Sequence, residues 1–290
     1  MLHRYVLHND QIQPVTDLSL SPGQVGLLAG WGVFSTLRVA DGVLFAWDRH
    51  WARIQRDAAA FHVALPHDPE AVRRKLVELV EANQAPNCTL RLVIVRNCGG
   101  MWAGPSNGRE SDLIALTADS KAWGEGVKLA YVREARHAAC EFAGTKILSW
   151  AQNLTWLERA QKRGFDEVIL LNERGEVAEC TSANIFIANG NEVWTPPLSS
   201  GCLPGITREV ILKEIHTPGI KVAEKALLPG DLEYADEVFI TSTTRDLLPV
   251  FQIEDKKVGR SDRARLALTR TFSEYLRNYV AVHKEQPAAR

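Results

Sequence analysis

A chain of 290 residues with 46% hydrophobic and 24% charged residues has room for one large globular domain or two of ordinary size. Its net charge of -1, with lysines and arginines spread along the chain, argues against a nucleic-acid partner and against a polybasic membrane anchor. There is no bilayer-length apolar run, no secretory h-region in the opening MLHRYVLHND, and no CxxC pair among Cys88, Cys98, Cys140, Cys180 and Cys202, so the expectation is a cytoplasmic, reducing setting with neither a disulfide framework nor a metal site.

Taken in chain order, HRYVLHN (3–9) reads as a first strand. GVFSTLRVADGVLFAW (32–47) reads as two strands around Asp41-Gly42, a hairpin dipeptide. Asp48 is placed to cap a helix with Trp51, Ile54, Ala58 and Phe61 on one face, and Asp68-Pro69 opens a second, EAVRRKLVELVEANQ. Strands follow at 88–96 and 111–118. The polar connector over 121–126 separates an N-terminal domain, 1–120, from a C-terminal one, 127–290.

The second half opens with a strand over 127–132. A helix is predicted over about 147–163, striped with Ile147, Trp150, Leu154 and Leu157. EVILLN is a strand, 172–176 a turn, and 177–196 two or three short strands broken at Asn189-Gly190. A helix over 206–217, strands at IKVAEK and DEVFITS (236–242), and an amphipathic helix over roughly 262–282 complete the pattern, before a frayed tail, KEQPAAR. Strands and helices do not alternate strictly, and the hairpin signals make the sheets partly antiparallel, so the fold class is mixed α/β (α+β) in two domains.

Five places could carry chemistry, and taken singly each has a bland reading that its local pattern favours or equals. In LPGITRE, glycine precedes a helix start, where bare amides of Ile206 and Thr207 could seat a phosphate; the turn could equally be punctuation. In FITSTTRDLLPV, hydroxyls cluster at a strand end, as phosphate donors or as a solvated loop. Lys146, after the small residues of EFAGTK, is an amine nucleophile if its setting is apolar, and otherwise a surface lysine. Glu179 is a site carboxylate or an exposed strand end. His50 and Arg53 share a helix face, as an anion clamp or as a solvated stripe. The lone GxG in GWGVFS leads into a strand and is no dinucleotide fingerprint; HExxH, GxSxG and P-loop motifs are absent from the sequence.

The order and spacing of these segments, from GWGVFSTLRVADGVLF and DRHWARI through GTKILSWAQNLTWLERAQKRGFDEVILLNERGEVAECTSANIFI to LPGITRE and VFITSTTRDLLPV, resemble the class IV (fold-type IV) pyridoxal-phosphate enzymes. That group holds branched-chain aminotransferases, D-amino-acid aminotransferases and 4-amino-4-deoxychorismate lyases. The resemblance implies a smaller N-terminal α/β domain, a larger, β-barrel-like C-terminal one, and a homodimer. It implies pyridoxal 5'-phosphate carried covalently on Lys146, with Glu179 facing the ring nitrogen. Arg53, the Ile206 and Thr207 amides beside Gly205, and Thr243 would form the phosphate cup; Leu203 would pack on the ring; Ser182 and Ser242 would lie near the cofactor. Phe34, Arg96, Trp150 and Thr244 fall on the substrate side, with Arg96 a candidate carboxylate anchor.

Two positions depart from the family pattern: Ser35 stands where members often carry glutamate, and Ser149 where many carry asparagine. The leading expectation is a branched-chain-like aminotransferase that moves an amino group between an amino acid and a 2-oxo acid in a ping-pong cycle. The alternatives are a lyase that eliminates pyruvate from aminodeoxychorismate, a D-amino-acid or amine transaminase, and a non-catalytic binding protein on the same scaffold.

Overall fold

The strand over 32–40 is the spine of the first half: it pairs antiparallel with 88–96 over eight residue pairs, and four further strands extend the sheet on either side. The computed structural model describes residues 1–21, 23–99 and 108–284. They divide into two compact units: Met1–Lys121 with Lys146–Trp150 and the chain from Leu276 on, and Ala122–Thr145 with Ala151–Tyr275.

The first unit contains β1 (Leu2–His8), β2 (Gln11–Pro14), α1 (Val25–Ala29), β3 (Gly32–Ala40), β4 (Val43–Leu44), α2 (Trp47–Ala60), α3 (Pro69–Ala82), β5 (Cys88–Arg96) and β6 (Ser111–Ala118). Its sheet runs β2-β1-β6-β5-β3-β4, antiparallel throughout. Alternation puts Val33, Leu37 and Val39 of β3 and Leu90, Leu92 and Ile94 of β5 in one core with Trp51, Ile54 and Ala58 of α2 and Leu76 and Leu79 of α3. The expected hairpin is present, with both Asp41 (φ 50°) and Gly42 (φ 82°) left-handed. Asp68 caps α3 as expected, accepting from the Glu70 and Ala71 amides, with Pro69 in the first turn. Asp48 does not cap α2: that helix starts at Trp47 after Ala46, which is left-handed at φ 55°, and Asp48 lies inside its first turn.

The helix predicted over about 147–163 is shorter. Residues 146–150 are not helical: Val33 and Ile147 form an antiparallel bridge, Phe34 N–H donates to the Lys146 carbonyl at 3.1 Å, and Leu148 N–H donates to the Gly32 carbonyl at 3.0 Å. A free edge on β3 satisfies these backbone groups and outcompetes helix propensity. Ile147 therefore packs on the first core, and Leu154 is exposed rather than part of a buried stripe.

The second unit holds β7 (Val127–Arg136), α4 (Ala151–Lys162), β8 (Glu167–Asn172), β9 (Val177–Cys180), β10 (Asn184–Asn189), β11 (Glu192–Thr195), α5 (Ile206–Lys213), β12 (Lys221–Glu224), α6 (Pro229–Tyr234), β13 (Glu237–Ser242), β14 (Asp246–Ile253) and β15 (Lys256–Lys257). The last helix, α7, spans Arg263–Lys284, and the tail expected to fray lies, from 285 on, outside the described residues. The sheet runs β12-β11-β10-β13-β14-β7-β8-β9, with β15 on β14. Its β11/β12, β14/β7 and β7/β8 pairs are parallel and the others antiparallel. β9, at one end of this path, leads into β10, an interior strand of it, through a turn in which Cys180 N–H donates to the Ala183 carbonyl at 2.8 Å. Leu129, Ile169, Ile185, Ile187 and Ile240 fill the core. The mixed α/β class read from the sequence is the class found. The helix expected over 206–217 stops at Lys213. Among the described residues no helix is long and apolar enough to cross a membrane.

Candidate active site

In the first unit, β3 and α2 hold the 146–150 segment from two sides. Besides its backbone bonds to β3, Lys146 donates its N–H to Asp57 Oδ2 at 3.0 Å, from a carboxylate that is 1% exposed. The Lys146 ammonium lies 4.6 Å from the centre of the Phe34 ring. The Arg91 guanidinium lies 4.1 Å from the same ring, and Trp150 meets it edge-on at 6.1 Å. Arg91 makes no ion pair among the described residues, and burial lowers its pKa. Phe34, Lys146 and Trp150 are thus together, and Arg91 joins them without having been anticipated. Its only signal was a cation on the face of β5 opposite the apolar alternation. Arg96 turns elsewhere: it stacks on Trp31 at 4.1 Å and donates to the Cys98 and His62 carbonyls at 2.8 and 3.0 Å.

One turn of α2 away, a buried trio links helix to strand. Arg53 Nη2 donates to Ser35 Oγ at 2.9 Å, and Ser35 Oγ is 2.8 Å from His50 Nδ1. Burial, and then the charges of Arg53 and Lys146, hold the His50 ring well below its usual pKa, so it is neutral. The sequence marked Arg53, and Ser35 only as a departure from the family pattern; their contact was not legible, because strand and helix meet only in the fold.

In the second unit, Glu179 at the end of β9 has both oxygens engaged. Oε1 accepts from Arg136 Nε at 3.1 Å and Oε2 from the Leu203 N–H at 3.0 Å. Arg136 reaches on to Asn153 Oδ1 at 3.2 Å. The turn that carries Leu203 is fastened again at its carbonyl, which accepts from Asn184 Nδ2 at 2.9 Å and from the Gly205 N–H at 2.8 Å. Gly205 is required by this approach: a Cβ there would collide with Asn184 Oδ1. α5 follows at once, with Ile206 and Thr207 buried and no side-chain cap on its first amides.

A second carboxylate, Glu167, is 1% exposed at the start of β8. It accepts from the Thr181 hydroxyl, from Ser182 Oγ at 2.7 Å and from Arg245 Nη2 at 3.2 Å. Arg245 also donates to the Ser182 carbonyl at 3.0 Å and lies over the Trp123 ring at 3.9 Å. Ser242 Oγ is 3.5 Å from Thr244 Oγ1, and Thr243 follows the end of β13. The Ser182 proton is therefore committed to Glu167. An acidic residue opening the otherwise apolar EVILLN was the one sequence signal for this cluster.

The sequence matches the family described as amino-transferase class IV over residues 32–253. The chain is a class IV aminotransferase. It is 31% identical over 246 residues to a putative branched-chain-amino-acid aminotransferase of Methanocaldococcus jannaschii, covering 84% of this chain and 85% of the relative. It is 30% identical over 258 residues to a D-alanine aminotransferase of Bacillus licheniformis, covering 88% and 90%. Its fold matches the branched-chain aminotransferase of the thermophilic archaeon Thermoproteus uzoniensis, solved with norvaline, at a TM-score of 0.86 and 24% identity, over 96% of this chain and 98% of that one. Class IV aminotransferases work with pyridoxal 5'-phosphate, and this chain is a pyridoxal-phosphate-dependent transaminase acting on amino acids and 2-oxo acids. The residues present suit that cofactor. Among the described residues the buried His50 Nε2 has no acceptor, beside a buried Arg53, which suits an anion. Within the second unit, taken by itself, the start of α5 has no side-chain cap and suits an anion, and Glu179 has lone pairs left for a further donor.

Proposed function

We propose that this aminotransferase is branched-chain-like, taking apolar amino acids as one partner and glutamate with its 2-oxo acid as the other. The observation that carries this reading is the Phe34 ring, with Lys146 against it at 4.6 Å, Arg91 at 4.1 Å and Trp150 at its edge. The two rings offer apolar surface to a branched side chain. Arg91, with no acid of its own among the described residues, offers a bidentate seat to a side-chain carboxylate. We assign the anchoring of a carboxylate to Arg91 rather than Arg96, whose Nε and Nη1 donate to backbone carbonyls.

Bound pyridoxal phosphate supplies an electrophilic carbon that captures amines and a ring that accepts the electron pair released at the substrate Cα. Within this proposal Lys146 would hold the cofactor covalently, and its amine, when free, would serve as the base and acid for the substrate Cα proton. Glu179, held in its post by Arg136 and the Leu203 N–H, would face the ring nitrogen and accept its N–H. Arg53, the Ile206 and Thr207 amides and Thr243 bind the phosphate, and Leu203 packs on the ring. Ser182 and Ser242 order the surroundings through Glu167 and Arg245, and Thr244 lies on the substrate side. A homodimer in the cytoplasm belongs to the same reading.

Single-turnover mixing tests it. L-Leucine and L-glutamate should each convert the aldehyde form of the cofactor spectrum to the amine form, and Arg91→Leu should slow glutamate far more than leucine. Reaction with D-alanine or an aromatic amine alone would move the chain to another transaminase class. Pyruvate release from aminodeoxychorismate, with no amino donor active, would make it a lyase.

A further inference from the structure

The buried trio of Ser35, His50 and Arg53 has one proton too many for its own acceptors. Arg53 only donates, so Ser35 Oγ is the acceptor in their 2.9 Å bond. Ser35 is 0% exposed, and the acceptor in reach of its own proton is His50 Nδ1 at 2.8 Å. Nδ1 is therefore the bare nitrogen. A neutral imidazole with a bare Nδ1 carries its hydrogen on Nε2. His50 is 0% exposed, and that Nε2–H has no acceptor among the described residues. A buried N–H is costly to leave unmatched.

We propose that His50 Nε2–H donates to an oxygen of the phosphate monoester of pyridoxal phosphate, beside Arg53, which makes His50 a phosphate-binding residue. This rests on the reading of Arg53 as a phosphate ligand. A neutral donor suits the place, because another fixed cation beside Arg53 and Lys146 would add repulsion. Ser35 completes the device: its hydroxyl orients both side chains and selects the tautomer.

Two measurements test this. In histidine-selective 15N NMR of the wild-type protein, His50 should show a protonated Nε2 and a bare Nδ1, and the Nε2 signal should move when inorganic phosphate is added to the apoprotein. A proton found on Nδ1, or an Nε2 signal indifferent to phosphate, overturns the proposal without any variant having to fold. The second measurement is the ratio of apoprotein affinities for pyridoxal phosphate and for pyridoxal. Both share the aldehyde, so the ratio isolates the phosphate. His50→Phe should lower that ratio about ten- to a hundredfold, the scale of one hydrogen bond to a charged group. His50→Gln, which can present an amide N–H near the Nε2 position, should recover most of it. An equal loss for both vitamers means packing and overturns the proposal, as does an unchanged ratio. Arg53→Gln separates the two readings: if it lowers the ratio and His50→Phe does not, only the role of His50 falls. If Arg53→Gln leaves the ratio unchanged, the reading of Arg53 falls and this proposal with it.

Discussion

Asp57 accepts the main-chain N–H of Lys146 at 3.0 Å, one helical turn beyond Arg53 on the same helix. α2 thus holds the backbone of the lysine with one residue and presents the guanidinium of Arg53 with another. The Arg56 side chain holds the other Asp57 oxygen. Asp57→Ala should leave a backbone N–H without its acceptor and destabilise the protein by about 1–3 kcal/mol. Asp57→Asn keeps an acceptor oxygen and should lose less. Urea unfolding of the three proteins measures this, and an alanine variant as stable as wild type would deny the contact any weight.

Glu179 and Arg136 form a largely buried pair, at 10% and 20% side-chain exposure. Glu179→Gln keeps the shape and an acceptor for the Leu203 N–H but removes the charge. Transamination should fall on the order of a hundredfold or more, the scale of deleting one preorganised electrostatic partner. The cofactor should still bind. Stopped-flow absorbance at saturating leucine reads the rate, and a variant with wild-type turnover would remove Glu179 from the mechanism.

A methyl group at position 205 would strike Asn184 Oδ1. Gly205→Ala should therefore displace the turn that carries Leu203, costing about 1–3 kcal/mol and loosening the cofactor. Asn184→Ala removes the colliding atom along with its bond to the Leu203 carbonyl. The double variant should be less damaged than the sum of the singles, because the two changes act at one contact. Strict additivity in denaturant titrations would refute that coupling.

His50 also makes a pH prediction. Its pKa in the folded protein is lowered well below 6.5 by burial and the neighbouring cations, so the unfolded chain binds a proton that the folded one refuses. Its contribution is fully present above pH 6.5 and is lost as the pH falls below that value. The slope should be about 1.4 kcal/mol per pH unit. Urea midpoints of wild type and His50→Gln between pH 7.5 and 5 isolate it: wild type should lose stability faster on acidification. Parallel curves would mean a charged or exposed ring.

The five thiols should separate by reactivity. Cys140 is exposed, whereas burial pushes Cys88 up to about 11 and Cys202 up to about 12, and Cys180 is fully enclosed. Brief alkylation at pH 8 followed by peptide mass mapping should label Cys140 first and leave Cys88, Cys180 and Cys202 unmodified until the protein unfolds.

What the sequence made legible was chemistry confined to a few neighbours. The Asp41-Gly42 hairpin and the Asp68 cap depend on residues within a turn of one another, and both are as read. The failures are places where a distant partner decides. Ile147 fits a helical stripe, but β3 offers its segment an edge, and the segment pairs there instead. β2 and β14 carry too little alternation to be recognised alone and are strands because a neighbour pairs with them. The site divides the same way. Motifs pointed to Lys146, Glu179 and Arg53 singly, whereas their supports, Asp57, Arg136 and Ser35, come from other elements, and nothing local marks them as supports.

The bridge between Val33 and Ile147 has a consequence for how the protein is made. Synthesis runs from the N-terminus, and about half the chain must leave the ribosome before residue 147 can reach its strand. Until then one border of the early sheet stays open, and the closing contact joins residues far apart along the chain, the kind that slows folding. The segment that carries Lys146 therefore gains its strand partner only after about half of translation is complete.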